Sequence, residues 1–314
     1  MLKPALDRRA RPGWLLLDQW IAPGGWRLRR FRAAPDQDTT RGSLIFQTGR
    51  ADFLEKYIEA FDHWRSQGWA IEGFDWRGQG GSGRMLEDAR IGHVPPYETM
   101  AADLLAYCRE WLERTPGPHI LIGHSMGGHL VLKALTETDL AVDGAVLLSP
   151  MLGLNTGLIG ERIGRLVARM LCRIGWTERP AWSEESSKGS GHRQRNLTHS
   201  EARYEDELWW RAEDPALDVG PPTWGWLRDS WVSIAGLFQP AVLERVKTPI
   251  LMLCAEHDPL IMTSAVKLAA RRLPHVKLIC RPGASHELLR EIDPIREWTL
   301  QEIDSFIGSF GQIA

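Results

Sequence analysis

Gly123-His124-Ser125-Met126-Gly127 sets a serine between two glycines, each two positions away. A serine hydroxyl is a weak nucleophile by itself. It attacks an acyl carbonyl only when an imidazole takes its proton and a carboxylate holds the imidazole in place. The chemistry to look for is therefore nucleophilic acyl transfer, with partners that come later in the chain. Asp258 in "AEHDPLI" and His286 in "GASHELL" each follow a later apolar run, in the order serine, acid, histidine. Glu256 stands beside Asp258 as a competing acid. His257 would reverse the order, and His275 lies at the entrance of its run, the wrong end for a catalytic group. The oxyanion of a tetrahedral intermediate also needs donors. The backbone N–H of Met126, directly after the serine, would supply one, and that of Arg50, after Gly49, the other.

These groups can meet only if particular elements carry them. "HILIGHS" (119–125) reads as a strand running straight into a small-residue helix over 126–135. A turn that tight crowds any side chain two residues to either side of the serine, which is the reason for glycine at 123 and 127. Apolar runs at 42–49, 69–76, 119–125 and 144–150 alternate with helical patterns. In one of these, Phe53, Leu54, Tyr57, Ile58, Phe61 and Trp64 recur at three- and four-residue spacing. Alternation resumes with a run at 249–255, a helix over 266–273, a run at 276–283 and a last helix over 294–310. Such alternation predicts an α/β fold, a mostly parallel sheet with helices on both faces. Ser125, Asp258 and His286 then all lie just past strand ends.

Residues 151–235 break the pattern with helical pieces and polar, Gly- and Ser-rich stretches. This divides the chain into a core of 1–150 and 236–314 and a mainly helical insertion of 151–235. Tryptophan is unusually frequent: 15 residues against 8 Phe and 4 Tyr. Seven of them, Trp176, Trp182, Trp209, Trp210, Trp224, Trp226 and Trp231, fall in the insertion. A small helical unit needs large side chains to build any core, and the same rings can form an apolar underside. Trp209, Trp224 and Trp226, with Leu152 and Leu154, are the expected lining of an acyl-chain pocket.

Several function classes recede. With a net charge of −2 over 314 residues there is no excess of positive charge to neutralise phosphates, so nucleic acid is not an expected partner. The four cysteines form no C-x-x-C pair and read as free thiols. The apolar run near the N-terminus, Trp14 to Leu17, is too short for a signal-peptide core, and no run approaches a membrane span. Gly78-x-Gly80-x-x-Gly83 matches a dinucleotide fingerprint, but "RMLEDARIGHVPPYE" after it has no sustained helical stripe to hold a pyrophosphate, so these glycines serve a sharp turn beside the active site. Ser264-Ala-Val-Lys267 lies inside a helical pattern without companion motifs. His119, His124 and His129 recur every five residues, which aligns no helical face, so no metal site is expected.

The blocks "GRADFLEKY", "FDWRGQGGSGR", "IGHSMGGHL", "AEHDPLI" and "GASHELLRE", in this order, resemble the α/β-hydrolase fold, and within it the bacterial lysophospholipase and monoacylglycerol lipase family. "RNLTHSEARY" and "PPTWGWLRDS" also resemble the cap of bacterial lysophospholipase-like members. The resemblance runs from about residue 20 to the C-terminus. It implies a Ser125, Asp258, His286 triad, a helical cap over the pocket and no cofactor. Thr48-Gly49 departs from the His-Gly pair of many lipases and esterases. The expected activity is hydrolysis of a small-molecule acyl ester, a monoacylglycerol or lysophospholipid, by a cytoplasmic protein in peripheral contact with the inner membrane. Two other readings remain: an aminopeptidase in which Glu184, Glu185, Glu201 or Glu205 binds the substrate amine, and a non-catalytic ligand receptor on the same scaffold.

Overall fold

The computed structural model describes residues 6–157, 160–182 and 192–310. Eight strands form one sheet in the order β1-β2-β4-β3-β5-β6-β7-β8: β1 (Leu15–Ile21), β2 (Arg27–Ala33), β3 (Gly42–Gln47), β4 (Trp69–Phe74), β5 (His119–His124), β6 (Gly144–Leu148), β7 (Ile250–Ala255) and β8 (Val276–Arg281). From β4 to β8 every neighbouring pair is parallel, whereas β1 pairs β2 and β2 pairs β4 antiparallel. The expected mostly parallel sheet is present, with an antiparallel edge that the apolar runs did not announce. The cause lies in "RLRRFRA". Phe31 and Ala33 pack into one core layer and Leu28 into the other, but Leu28 shares its face with Arg30 and Arg32, which pair with Asp18 of β1, so the strand reads as charged.

Strands β3, β6 and β7 are buried at every position, as strands covered on both faces must be. Their side chains still alternate between two cores. Ile45, Leu121, Leu147 and Met252 join the layer under α2 (Tyr97–Arg114) and α3 (Met126–Glu137). Phe46, Ile122, Leu148 and Leu253 join the layer under α1 (Ile58–Ser66) and the last helix (Asp293–Gly308). Burying this much aliphatic and aromatic surface, at roughly 25 cal/mol per Å² of apolar area, is the main force holding the sheet between its helices.

Between β6 and β7 the described residues contain no strand. They hold α4 (Glu161–Arg173), α5 (His192–Leu197), α6 (Glu201–Glu213) and α7 (Trp224–Leu237). Short bridges tie this segment back to the core at Leu154–Ile261 and Gly92–Pro222. Helix α8 (Thr263–Arg272) and the last helix, α9 (Asp293–Gly308), complete the fold. Ser264 and Lys267 lie within α8. The four cysteines are free, and the Cys254 and Cys280 sulfurs lie 3.4 Å apart across β7 and β8. Among the described residues, no helix is long and apolar enough to cross a membrane.

Candidate active site

Ser125 sits between the end of β5 and the start of α3 with φ 53° and ψ −115°. An L-residue adopts this conformation only at a cost, and such cost concentrates at functional sites. Both flanking glycines are required. A Cβ at Gly123 would lie 2.6 Å from the Gly127 carbonyl oxygen, and one at Gly127 would strike the carbonyl oxygens of Gln47, at the end of β3, and Thr48, just past it. The serine is held by its backbone, its N–H donating to the Leu148 carbonyl at 2.9 Å. Its hydroxyl therefore stands at the N-terminus of α3, where unpaired N–H groups, Met126 among them, favour negative charge.

His286 and Asp258 meet as their order along the chain requires. Asp258 follows β7, and its Oδ1 accepts from the N–H groups of Leu260 (2.8 Å) and Ile261 (3.1 Å). That leaves Oδ2 for Nδ1 of His286 at 2.8 Å, with both residues buried. Burial alone would raise the Asp258 pKa, but His286 and the two N–H donors outweigh it and hold the carboxyl below its ordinary value. Burial works against charge on His286 too, yet Asp258, with Glu287 and Asp52 behind it, leaves the imidazole above the ordinary 6.5. The His286 ring lies 4.9 Å from that of His124, the residue before Ser125. No hydrogen bond joins Ser125 Oγ to His286 among the described residues. Of the competitors, the Glu256 carboxylate makes no hydrogen bond or ion pair with His286 among the described residues, and the His275 carbonyl accepts from Ile250 at the start of β7, the far end of the sheet.

The loop after β3 is braced from several sides. Trp76 Nε1 donates to the Thr48 carbonyl (2.8 Å), and Gly49 N–H donates to Asp52 (3.1 Å). Gln79 donates to the Gly49 carbonyl (2.7 Å) and accepts from Ala51 N–H (3.2 Å). These bonds secure the peptide units on either side of Arg50 and leave its N–H unbonded among the described residues. Gln79 belongs to the Gly78–Gly83 loop, whose three fingerprint glycines all have positive φ. Those glycines turn the loop so that its amide reaches the candidate oxyanion loop. The Arg50 side chain runs away to the inserted segment, where Nη2 donates to the Gly220 carbonyl (2.5 Å) and the guanidinium lies 5.4 Å over the Trp226 ring. It has no carboxylate partner among the described residues, and burial pushes its pKa down to about 9.

A buried ionic cluster adjoins the site, and its members are too far apart in sequence for spacing to reveal it. Glu207 on α6 is ringed by Lys56, Arg193, Arg211 and Arg290, each at 2.9 Å. Lys56 also holds Asp52 and Glu287 (2.7 Å), and Arg290 also holds Glu287. Burial would raise the Glu207 pKa, but the surrounding cations hold it well below the ordinary range. Asp52, His124 and Glu287 bring possible ligand atoms within 4.8 Å of one another, in an arrangement that could hold a metal. The Lys56 ammonium already bonds both carboxylates, so the positive charge there is the protein's own. Burial and the neighbouring His286 push His124 down to about 4, which keeps it neutral beside the candidate base.

The five expected pocket residues do not gather in one place. Leu152, Leu154 and Trp226 pack in the layer that contains Met126 and Ile261. Trp224 is half-buried at the start of α7. Trp209 departs from the expectation: it packs edge-on to Trp210 at 4.9 Å in the opposite layer, because Trp210 is anchored there by its bond to the Arg8 carbonyl.

The family described as "Serine aminopeptidase, S33" matches residues 38–293. Lysophospholipase L2 of Escherichia coli (strain K12) is 30% identical over 287 residues, covering 84% of this chain and 80% of the relative. A soluble variant of monoglyceride lipase from Saccharomyces cerevisiae superposes with a TM-score of 0.72 at 16% identity, over 95% of this chain and 96% of that one. A thermostable carboxyl esterase from Bacillus coagulans superposes with a TM-score of 0.73 at 18% identity, over 95% and 99%. These two likenesses establish the α/β-hydrolase fold, and the family match with the 30% identity establishes kinship: the chain belongs to the serine aminopeptidase S33 family, as a lysophospholipase-like member.

Proposed function

We propose that this carboxylic ester hydrolase cleaves the acyl ester of a single-chain lipid, a lysophospholipid or monoacylglycerol, through an acyl-enzyme on Ser125. The observation that carries the reading is the buried His286–Asp258 pair, 2.8 Å apart, next to a serine in a strained turn. His286 accepts the Ser125 proton as Oγ attacks the ester carbonyl, and Asp258 stabilises the imidazolium. The N–H groups of Met126 and Arg50 receive the oxyanion. The alcohol leaves with the proton from His286. Water then attacks the acyl-enzyme, giving a proton to His286, which passes it to Ser125 Oγ as the acyl bond breaks and the fatty acid leaves.

Residues 151–235 act as a cap on a core of 1–150 and 236–314. Leu152, Leu154, Trp224 and Trp226 contribute to the acyl-chain lining, and Trp209 is left out. The Arg50 guanidinium, which has no carboxylate partner among the described residues, favours a phosphate headgroup over a neutral glycerol. The protein works in the cytoplasm, peripheral to the inner membrane that supplies its substrate. An aminopeptidase needs a carboxylate free to bind an amine. Here Glu201 and Glu205 are exposed on α6, Glu207 is already ringed by cations, and Glu184 and Glu185 lie outside the described residues.

The test is a panel of lysophospholipids, monoacylglycerols, short p-nitrophenyl esters and amino-acid amides. Ser125→Ala should lower ester turnover by at least about 10⁴-fold with folding unchanged. Arg50→Met should cut lysophospholipid kcat/KM by about tenfold more than monoacylglycerol kcat/KM, the scale of one charge-assisted contact. Retained activity in Ser125→Ala would refute the mechanism, and preferred hydrolysis of amides would refute the substrate class.

A further inference from the structure

Helix α4 carries more exposed large apolar side chains than any other described helix. Only Ala168 is buried along its length. Ile163 (57% exposed), Leu166 (58%), Met170 (57%) and, just past its end, Ile174 (65%) stand in solvent with Val167. At 100° per residue these five side chains fall on one face, within an arc of about 100°. A second face packs on α7, where a Cβ on Gly164 would lie 3.0 Å from the Trp231 ring. The third face carries Arg162, Arg165, Arg169 and Arg173 at i, i+3, i+7 and i+11. Glu161, 3.5 Å from Arg165, is the sole acidic residue of the helix. Exposed Trp176 and Trp182 follow it.

We infer that α4 docks this protein onto an anionic phospholipid surface, with the apolar face in the acyl boundary and the arginine face on the headgroups. Charge complementarity selects this occupant. The chain as a whole carries −2, yet this helix carries four cations against one anion, set directly beside its apolar stripe. A stripe flanked by arginines and followed by tryptophans suits an interfacial helix lying in the membrane plane. The chain enters α4 from the segment where Leu154 pairs with Ile261 and Asn155 N–H donates to the Leu260 carbonyl, beside the Asp258 turn. The inference rests on the lipid-ester reading only for the source of the substrate; docking itself needs no catalysis.

The test uses the full chain with Ser125→Ala, so that no lipid is consumed, in flotation with vesicles of phosphatidylcholine alone or mixed with phosphatidylglycerol. Binding should require phosphatidylglycerol and weaken with salt. Combined Arg162→Gln, Arg169→Gln and Arg173→Gln should lower partitioning on the order of a hundredfold, at about fivefold per arginine. Combined Ile163→Ser, Leu166→Ser and Met170→Ser should lower it at least about tenfold. In a Ser125 background, both sets should leave turnover of a water-soluble short ester unchanged. Equal binding to neutral and anionic vesicles, no binding at all, or a helix-dependent dimer in sedimentation without vesicle binding would each overturn the docking. Loss of short-ester turnover by the unsubstituted protein would instead overturn the ester-hydrolase reading.

Discussion

Helices α6 and α4 belong to the same inserted segment, yet they are held in opposite ways. On α6, Glu207 is fully enclosed by Lys56, Arg193, Arg211 and Arg290, while Arg203 reaches Glu59 and the Glu291 carbonyl. On α4, one narrow face rests on α7 and the remainder meets solvent. The α6 side is bound to the core by charges whose desolvation is already spent, so removing any one partner strands the others. The α4 side has little to lose from substitution, because its exposed groups contribute little to the folded monomer. The helical segment between β6 and β7 thus has one edge tied to the loop that carries His286 and another that, among the described residues, is exposed.

The largest effect should come at the pinned edge. Lys56→Met removes the ammonium shared by Asp52, Glu207 and Glu287 and should destabilise the fold by about 3–5 kcal/mol in urea unfolding. A loss below about 1 kcal/mol would mean the cluster contributes little to anchoring the insertion.

A smaller effect should appear in the pH dependence of catalysis. In the proposed mechanism His286 must be neutral to accept the serine proton, and Asp258, Glu287 and Asp52 raise its pKa above 6.5. Activity should therefore fall as pH drops through a value above 6.5. Glu287→Gln should move that limb of kcat/KM to lower pH, because one of the charges favouring imidazolium is gone. An unmoved limb would separate the ionic cluster from the site.

The smallest effect belongs to the free edge. Leu166→Ser should change unfolding free energy by no more than about 0.5 kcal/mol. A loss comparable to a core truncation would show that this face is covered in solution.

What the sequence made legible followed how local each signal was. The Ser125 turn, the strand ends carrying Asp258 and His286 and the alternation behind the parallel sheet each occupy a few adjacent residues, so they could be read directly. The β1–β2 edge was hidden because Arg30 and Arg32 mask an alternating strand. The ionic cluster was hidden because Asp52, Lys56, Glu207, Glu287 and Arg290 come from separate parts of the chain and meet only after folding. Helix α4 was readable as a helix, but periodicity shows that a face is apolar and not what covers it. Trp209 shows the same limit. Adjacent to Trp210, it followed its neighbour into the opposite layer, where composition had suggested a pocket.

The central claim is that Ser125 is the nucleophile and His286 its base. The most direct measurement is intact-protein and peptide mass spectrometry after reaction with a fluorophosphonate. The account predicts one adduct, on the peptide containing Ser125, absent from Ser125→Ala and strongly slowed in His286→Ala. An adduct on another residue, or none on folded protein that still hydrolyses esters, would contradict it.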